Sequence, residues 1–123
     1  IYYPEVMKED LVLSLAQVAY DRYVSSVGEN TYLIYDSSMI TNVKESKAKQ
    51  ICFPFTEIAR EIGNAAVANI IALGVIIKLT GALKEESIIL AIQDVFGERK
   101  KVLELNINAF ERGLELAQNQ LLR

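Results

Sequence analysis

Histidine is absent from the 123 residues, which removes the commonest general base near neutral pH and the commonest metal ligand together. Cys52 is the single cysteine. It cannot close an intramolecular disulfide, and it has no second thiol beside it to hold zinc or an iron–sulfur cluster. Thirteen Lys and Arg stand against sixteen Asp and Glu, a net charge of −3. The concentrated basic excess that binds phosphate backbones is missing, so no nucleic-acid partner is expected. No apolar run reaches the roughly 20 residues of a spanning helix. The longest, Ala65–Ile77, is interrupted by Asn69 and reads as a buried core helix, with no membrane partner. "IYYPEV" opens on Ile1 and lacks the charged n-region of a secretory signal. A cytoplasmic location is expected, together with an upstream portion of the natural polypeptide preceding Ile1.

What is present is ordinary for a globular protein: 51% hydrophobic and 24% charged residues, enough for one domain with a modest core. Pro4 holds Tyr3 extended. The spacing of Val12, Leu15, Ala16, Ala19 and Tyr23 predicts an amphipathic helix over Glu9–Val27, with acids at its start and Gly28 as its stop. "TYLIYD" (Thr31–Asp36) reads as a strand followed by a serine turn, and Asn42–Gln50 as an exposed polar loop or edge. "ICFPF" is a second strand ended by Pro54. Thr56 is expected to cap a short helix over Glu57–Ile62 that Gly63 stops, and Asn64 a long apolar helix up to Thr80 that ends at Gly81. Lys84–Phe96 follows with Ile88, Ile92 and Val95 inward. The last helix runs from about Glu98 to Leu122, with Leu103, Ile107, Phe110, Leu114, Ala117 and Leu121 in a heptad-like stripe facing the core. The order predicts a Rossmann-like layered α/β sandwich. Two strands against five helices make an incomplete sheet, so further strands are expected upstream.

Polar residues with chemical potential are few. Asp36 at a strand end has no G-x-G-x-x-G before it and reads as a turn former ahead of a ribose ligand. Glu57 and Glu61, with Arg60 between them, read as a solvated helix face ahead of an acid–base pair. Asn69 lies in "AAVANIIALG", where a buried unpaired amide costs about 1–3 kcal/mol. It is expected to be buried and bonded to a neighbouring backbone, or else to a ligand or interface. Gly74, in the same stretch, marks a place where another element approaches closely. Tyr2, Tyr3 and Pro4 are a candidate aromatic contact surface. Cys52, with no cation beside it, is expected to be a small buried hydrophobe.

"YYPEV" with "ED", "LIYDSSMI", "PFTEIAREIGN", "VANIIALG" followed by "LTG", and "LNINAFERGLELA" occur in one order along almost the whole chain. The chain thereby resembles the C-terminal part of the gamma subunit of 2-oxoacid:ferredoxin oxidoreductases, which act on pyruvate, 2-oxoglutarate or branched 2-oxoacids. That subunit opens with a strand and a "GxGGQG"-type loop, a pattern this sequence does not contain. The resemblance implies a single α/β domain of which residues 1–123 are the C-terminal part. It implies alpha, beta and delta subunits as partners and no catalytic-centre residues here. The complex would use thiamine diphosphate, iron–sulfur clusters and coenzyme A, none held by this chain alone. Thr56, Asn64 and Asn69 are the polar residues expected nearest a shared site. The rival readings are a stand-alone small-molecule or nucleotide-binding module, and a structural homo-oligomer. A lost half-domain would also favour self-association, by leaving apolar surface and sheet edges open.

Overall fold

A computed structural model describes residues 11–121. The Tyr2–Tyr3–Pro4 surface, the acids Glu9 and Asp10, and Leu122 lie outside the described residues. The elements are β1 (Leu11–Ser14), α1 (Gln17–Tyr23), β2 (Tyr32–Asp36), β3 (Lys49–Phe53), α2 (Phe55–Ile62), α3 (Ala68–Thr80), α4 (Glu85–Phe96) and α5 (Lys100–Leu121), with a single 3₁₀ turn at Ala65–Val67 leading into α3. The strands form one sheet in the order β1-β2-β3. Both pairings are parallel, and Ser14, Tyr35 and Cys52 stand in one row across it.

The helix expected over Glu9–Val27 is corrected. Leu11–Ser14 is a strand, and the helix is confined to Gln17–Tyr23. A strand covered on both faces reads as a continuous apolar run, which periodicity alone cannot separate from a buried helix. Leu11 and Leu13 pack toward the large core, Val12 toward the opposite one. In α1 the buried side chain is Tyr20, while Tyr23, expected inward, is exposed.

Two cores lie on opposite faces of the sheet. On one face Tyr20 and Val24 close over Leu33, Tyr35, Ile40 and Ala48. On the other, Ile34 and Phe53 meet Phe55, Ile58 and Ala59 of α2, Ile71 and Val75 of α3, and Ala109 and Ala117 of α5. α3 is buried on almost every side. It has the sheet below it, while Ile77 joins Phe110 of α5 and Ile92 of α4 in a third cluster. The stripe on α5 points inward as expected. In α4, Ile92 is buried, but Val95 is 66% exposed and not inward; it falls just outside the arc of the helix that Ile88, Ile89, Ile92 and Phe96 present to the core.

Parallel neighbours need a long crossover, usually helical. Residues 37–48 join β2 to β3 without a helix, and α1 supplies the missing hydrogen-bond partners. Gln17 Oε1 accepts from the Thr41 and Asn42 amides at 3.0 and 3.2 Å, and Gln17 Nε2 donates to the Asn42 carbonyl at 3.1 Å. The Tyr20 hydroxyl accepts from the Lys44 amide at 2.9 Å and donates to Gln50 Oε1 at 2.6 Å. Ser46 Oγ donates to the Val24 carbonyl at 2.6 Å. Gln17, Tyr20 and Val24 share one helix face. An exposed Lys44–Asp21 ion pair at 3.0 Å adds little.

Gly74 bears out the expected close approach. Its neighbour is Gly113 of α5, which sequence reading did not single out. A Cβ on Gly74 would lie 3.0 Å from the Gly113 Cα and collide with the Phe110 carbonyl oxygen. A Cβ on Gly113 would lie 2.9 Å from the Gly74 Cα and collide with the Ile71 carbonyl oxygen. Both obstacles are backbone and cannot rotate away. Alanine raises helix propensity by up to about 1 kcal/mol, but forced separation of packed backbones costs about 1–3 kcal/mol, so strain wins. Gly74→Ala and Gly113→Ala should each lower the urea unfolding free energy by about 1–2 kcal/mol. Gly28→Ala, with nothing within 4 Å of the added carbon, should stay within about 0.5 kcal/mol of the parent. An unchanged midpoint for both helix variants would contradict the backbone contact.

Candidate functional site

In open parallel α/β sheets, ligands and functional groups gather beyond the carboxyl ends of the strands. Here those ends are Ser14, Asp36 and Phe53. Asp36 is fully buried. Its Oδ2 accepts from the Thr56 hydroxyl at 2.6 Å and the Thr56 amide at 3.2 Å, while Oδ1 accepts from the Ser38 amide at 2.9 Å. Ser38 Oγ accepts from the Glu57 amide at 3.1 Å. The turn after β2 therefore caps α2 from a distance: two orphan amides of its first turn are satisfied by side chains 20 and 19 residues upstream. The expected turn-forming role of Asp36 is present in the Ser38 bond, and its reach to Thr56 adds to it.

This arrangement corrects the expectation for Thr56. It lies inside α2, whose preceding residue is Pro54 with no side-chain cap, and its hydroxyl donates to Asp36. Pro54 already fixes the chain there, so α2 starts two residues earlier than expected. Asn64 does cap as expected: Oδ1 accepts from the Ala66 amide at 2.9 Å. The turn that it caps is 3₁₀ before α3 begins. Asn69 is exposed on the first turn of α3, which overturns its expected burial; the apolar run around it supplies the buried face, and residue 69 falls on the other side. Thr56 and Asn64 sit at opposite ends of α2, about 12 Å apart at 1.5 Å per residue, so the three candidates do not form one cradle. Glu57, Arg60 and Glu61 are exposed, in keeping with a solvated face.

On the other face of the same strand ends, Ser14, Tyr35 and Cys52 form a polar row. The Ser14 hydroxyl is buried and makes no hydrogen bond among the described residues. Tyr35 is buried edge-on against Tyr20, with ring centroids 5.2 Å apart. Burial, then the neighbouring Cys52 thiol, pushes the Tyr35 phenol up to about 12. Cys52 is exposed, not buried as expected, because β3 lies at the edge of the described sheet. Among the described residues no group of three or more His, Cys, Asp and Glu converges. No helix among them is long and apolar enough to cross a membrane. What Asp36, Ser38 and Thr56 do is fix the loop–helix junction at the strand ends.

Asp36→Ala leaves the Thr56 hydroxyl and amide unpaired inside the protein and should cost about 3 kcal/mol in denaturant unfolding. Asp36→Asn keeps an oxygen acceptor and should cost about 1 kcal/mol; equal losses for the two would argue against a capping role. The phenol of Tyr35 sets a second expectation. In the unfolded chain it ionises near 10.0, in the folded one at about 12, so the folded state holds more protons between those values and stability falls as pH rises through that window. Below pH 10 the effect vanishes. Subtracting the pH–stability curve of Tyr35→Phe from that of the parent should leave a decline confined to pH 10–12, and a flat difference would refute it.

Comparison with known proteins places these observations. The family model for pyruvate ferredoxin/flavodoxin oxidoreductase matches residues 1–116. The chain is 36% identical over 120 residues to the 2-oxoglutarate synthase subunit KorC of Methanocaldococcus jannaschii, a match covering 95% of this chain and 63% of that one. It is 32% identical over 120 residues to the ketoisovalerate oxidoreductase subunit VorA of Methanothermobacter thermautotrophicus, covering 96% of this chain and 25% of the other. The chain thus spans less than two thirds of the length of these relatives. Among solved structures, the gamma subunit of the keto/oxoacid ferredoxin oxidoreductase from Geobacter sulfurreducens superposes with a TM-score of 0.74 at 32% identity, over 89% of this chain and 64% of that one. The 2-oxoglutarate:ferredoxin oxidoreductase of Magnetococcus marinus shares the fold, with a TM-score of 0.81 at 22% identity over 97% of this chain and 21% of that one. Matched in this way from residue 1 to residue 116, the chain belongs to the pyruvate ferredoxin/flavodoxin oxidoreductase family and carries its gamma-subunit fold.

Proposed function

We propose that this chain acts as the accessory gamma component of a 2-oxoacid:ferredoxin oxidoreductase. In this reading the complex converts a 2-oxoacid, coenzyme A and oxidised ferredoxin into acyl-CoA, carbon dioxide and reduced ferredoxin. The observation that carries the reading is the family match over residues 1–116, with relatives named as subunits of 2-oxoglutarate and ketoisovalerate enzymes. Residues 1–123 are the C-terminal part of one gamma-subunit α/β domain. A three-stranded sheet and the 63% share of the KorC relative support that assignment. Alpha, beta and delta subunits are its partners, in the cytoplasm.

These 123 residues hold one cysteine and no histidine. One thiol and no imidazole are too few to ligate an iron–sulfur cluster, so the clusters are assigned to other chains, and thiamine diphosphate with them. For coenzyme A, Thr56 is already committed to Asp36 and Asn64 to Ala66. The exposed amide of Asn69 is left as the candidate group for a ligand or partner at the shared site.

Affinity purification of the tagged, full natural polypeptide from its own cells tests the reading. Thiamine-binding and cluster-binding chains should co-purify, and the eluate should reduce a dye with coenzyme A and one preferred acid among pyruvate, 2-oxoglutarate and branched 2-oxoacids. A lone, inactive protein would favour the stand-alone small-molecule or nucleotide-binding module instead.

A further inference from the structure

α4 joins the rest of the molecule through one face. Ile92 is buried, and Ile88, Ile89 and Phe96 pack beside it against α5. Leu90 lies on the flank of that face, one step around the helix from Ile89, and is 64% exposed; Leu83, just before the helix, is exposed as well. An isolated surface leucine is ordinary. Leu90, however, borders a groove of about 440 Å³ between α4 and α5, lined by the half-buried Ile89 and Leu114, by Leu90 itself, and by Glu86, Gln93 and Glu111. Glu85 also reaches this groove, with its charge met by Lys78 at 3.6 Å. Glu86 and Glu111 form no ion pair among the described residues, and the nearby Arg112 is engaged by Glu115 at 3.9 Å.

An apolar floor with two unmatched carboxylates on its rim selects its occupant. Covering the leucines with an acidic or purely apolar surface would strip water from Glu86 and Glu111 without compensation, which is unfavourable. A second copy of this chain would bring the same carboxylates to the same place. A basic, partly apolar segment satisfies both parts: its aliphatic or aromatic side chain fills the groove, and flanking Lys or Arg neutralises the rim. We propose that the α4–α5 groove docks such a segment of another subunit of the oxidoreductase. This inference rests on the functional reading above and specifies where on the chain its partner binds.

The test co-expresses the full natural polypeptide with the remaining oxidoreductase subunits of its source organism and measures how much of it co-elutes with them. Leu90→Glu and the double change Glu86→Lys/Glu111→Lys should each reduce co-elution at least tenfold. Val18→Glu, on the exposed side of α1, should leave it unchanged. All four substituted residues are exposed, so circular dichroism and the melting temperature of each variant should match the parent, which separates lost docking from lost folding. A zero-length carbodiimide crosslink should join Glu86 or Glu111 of the assembled parent to a partner lysine. If the parent assembles and the groove variants assemble equally well, the groove is not the docking site while the subunit reading stands. If the parent associates with none of the subunits, the subunit reading fails and the docking assignment with it. If light scattering shows the parent as a dimer that Leu90→Glu dissociates, the occupant is a second copy and not a basic partner segment.

Discussion

Two helix backbones touch at Gly74 and Gly113, and most of the larger core is arranged around that contact. Ordinary helix pairs are separated by the side chains between them. Here that spacer is absent at the crossing, so the carbonyls of Ile71 and Phe110 lie where Cβ atoms would otherwise be. The close approach draws Ala109 and Ala117 of α5 into the same cluster as Ile71, Ala72 and Val75 of α3. It also lets one buried helix serve two neighbours, the sheet below and α5 above. α4 then needs only a narrow contact with α5 to be held, which leaves its far side free.

A second constraint joins this helical half to the sheet. Asp36 ends β2 and accepts from both the amide and the hydroxyl of Thr56 in the first turn of α2. An acceptor buried with three bonds is held more firmly than a surface pair, because losing any one bond leaves a polar group unsatisfied in a part-buried junction. The strand end and the helix start are thereby fixed relative to each other. α2 in turn leads through the Asn64-capped turn directly into α3. The path from Phe53 to Thr80 is consequently a chain of fixed junctions between short elements.

The legible parts of this fold were those with strong local chemistry. Gly81 takes a left-handed conformation at φ 63° and ends α3, as a helix-terminating glycine should. Asn64 capped, Pro54 ended β3, and Gly74 announced a close neighbour. What could not be read locally was tertiary. "LVLS" became a strand because β2 was there to pair with it. Val95 was expected inward, but α5 does not reach around α4 far enough to cover it. Asn69 and Cys52 were assigned to the interior by their apolar neighbours in sequence, whereas burial depends on which elements pack against each face. Gly113 carries no local signal beyond being a glycine in a helix; only its partner explains it. Among the candidate site residues, Thr56 was found at the strand ends, but its task there is set by Asp36, twenty residues away.

The side-chain bonds from α1 to the β2–β3 crossover divide the molecule's resistance to local opening. The sheet separates two apolar clusters. The one under α1 is small, with Tyr20, Val24, Leu33, Tyr35, Ile40 and Ala48, and its crossover strap has no hydrogen-bond ladder of its own. Such a layer can detach as a cooperative unit at a free energy below that of global unfolding. Its amides would then exchange with solvent ahead of those in α3 and α5. Detachment would uncover Ser14 and Tyr35 while the α4–α5 groove, on the other side of the sheet, kept its shape. The two faces are in this sense separate in time as well as in space.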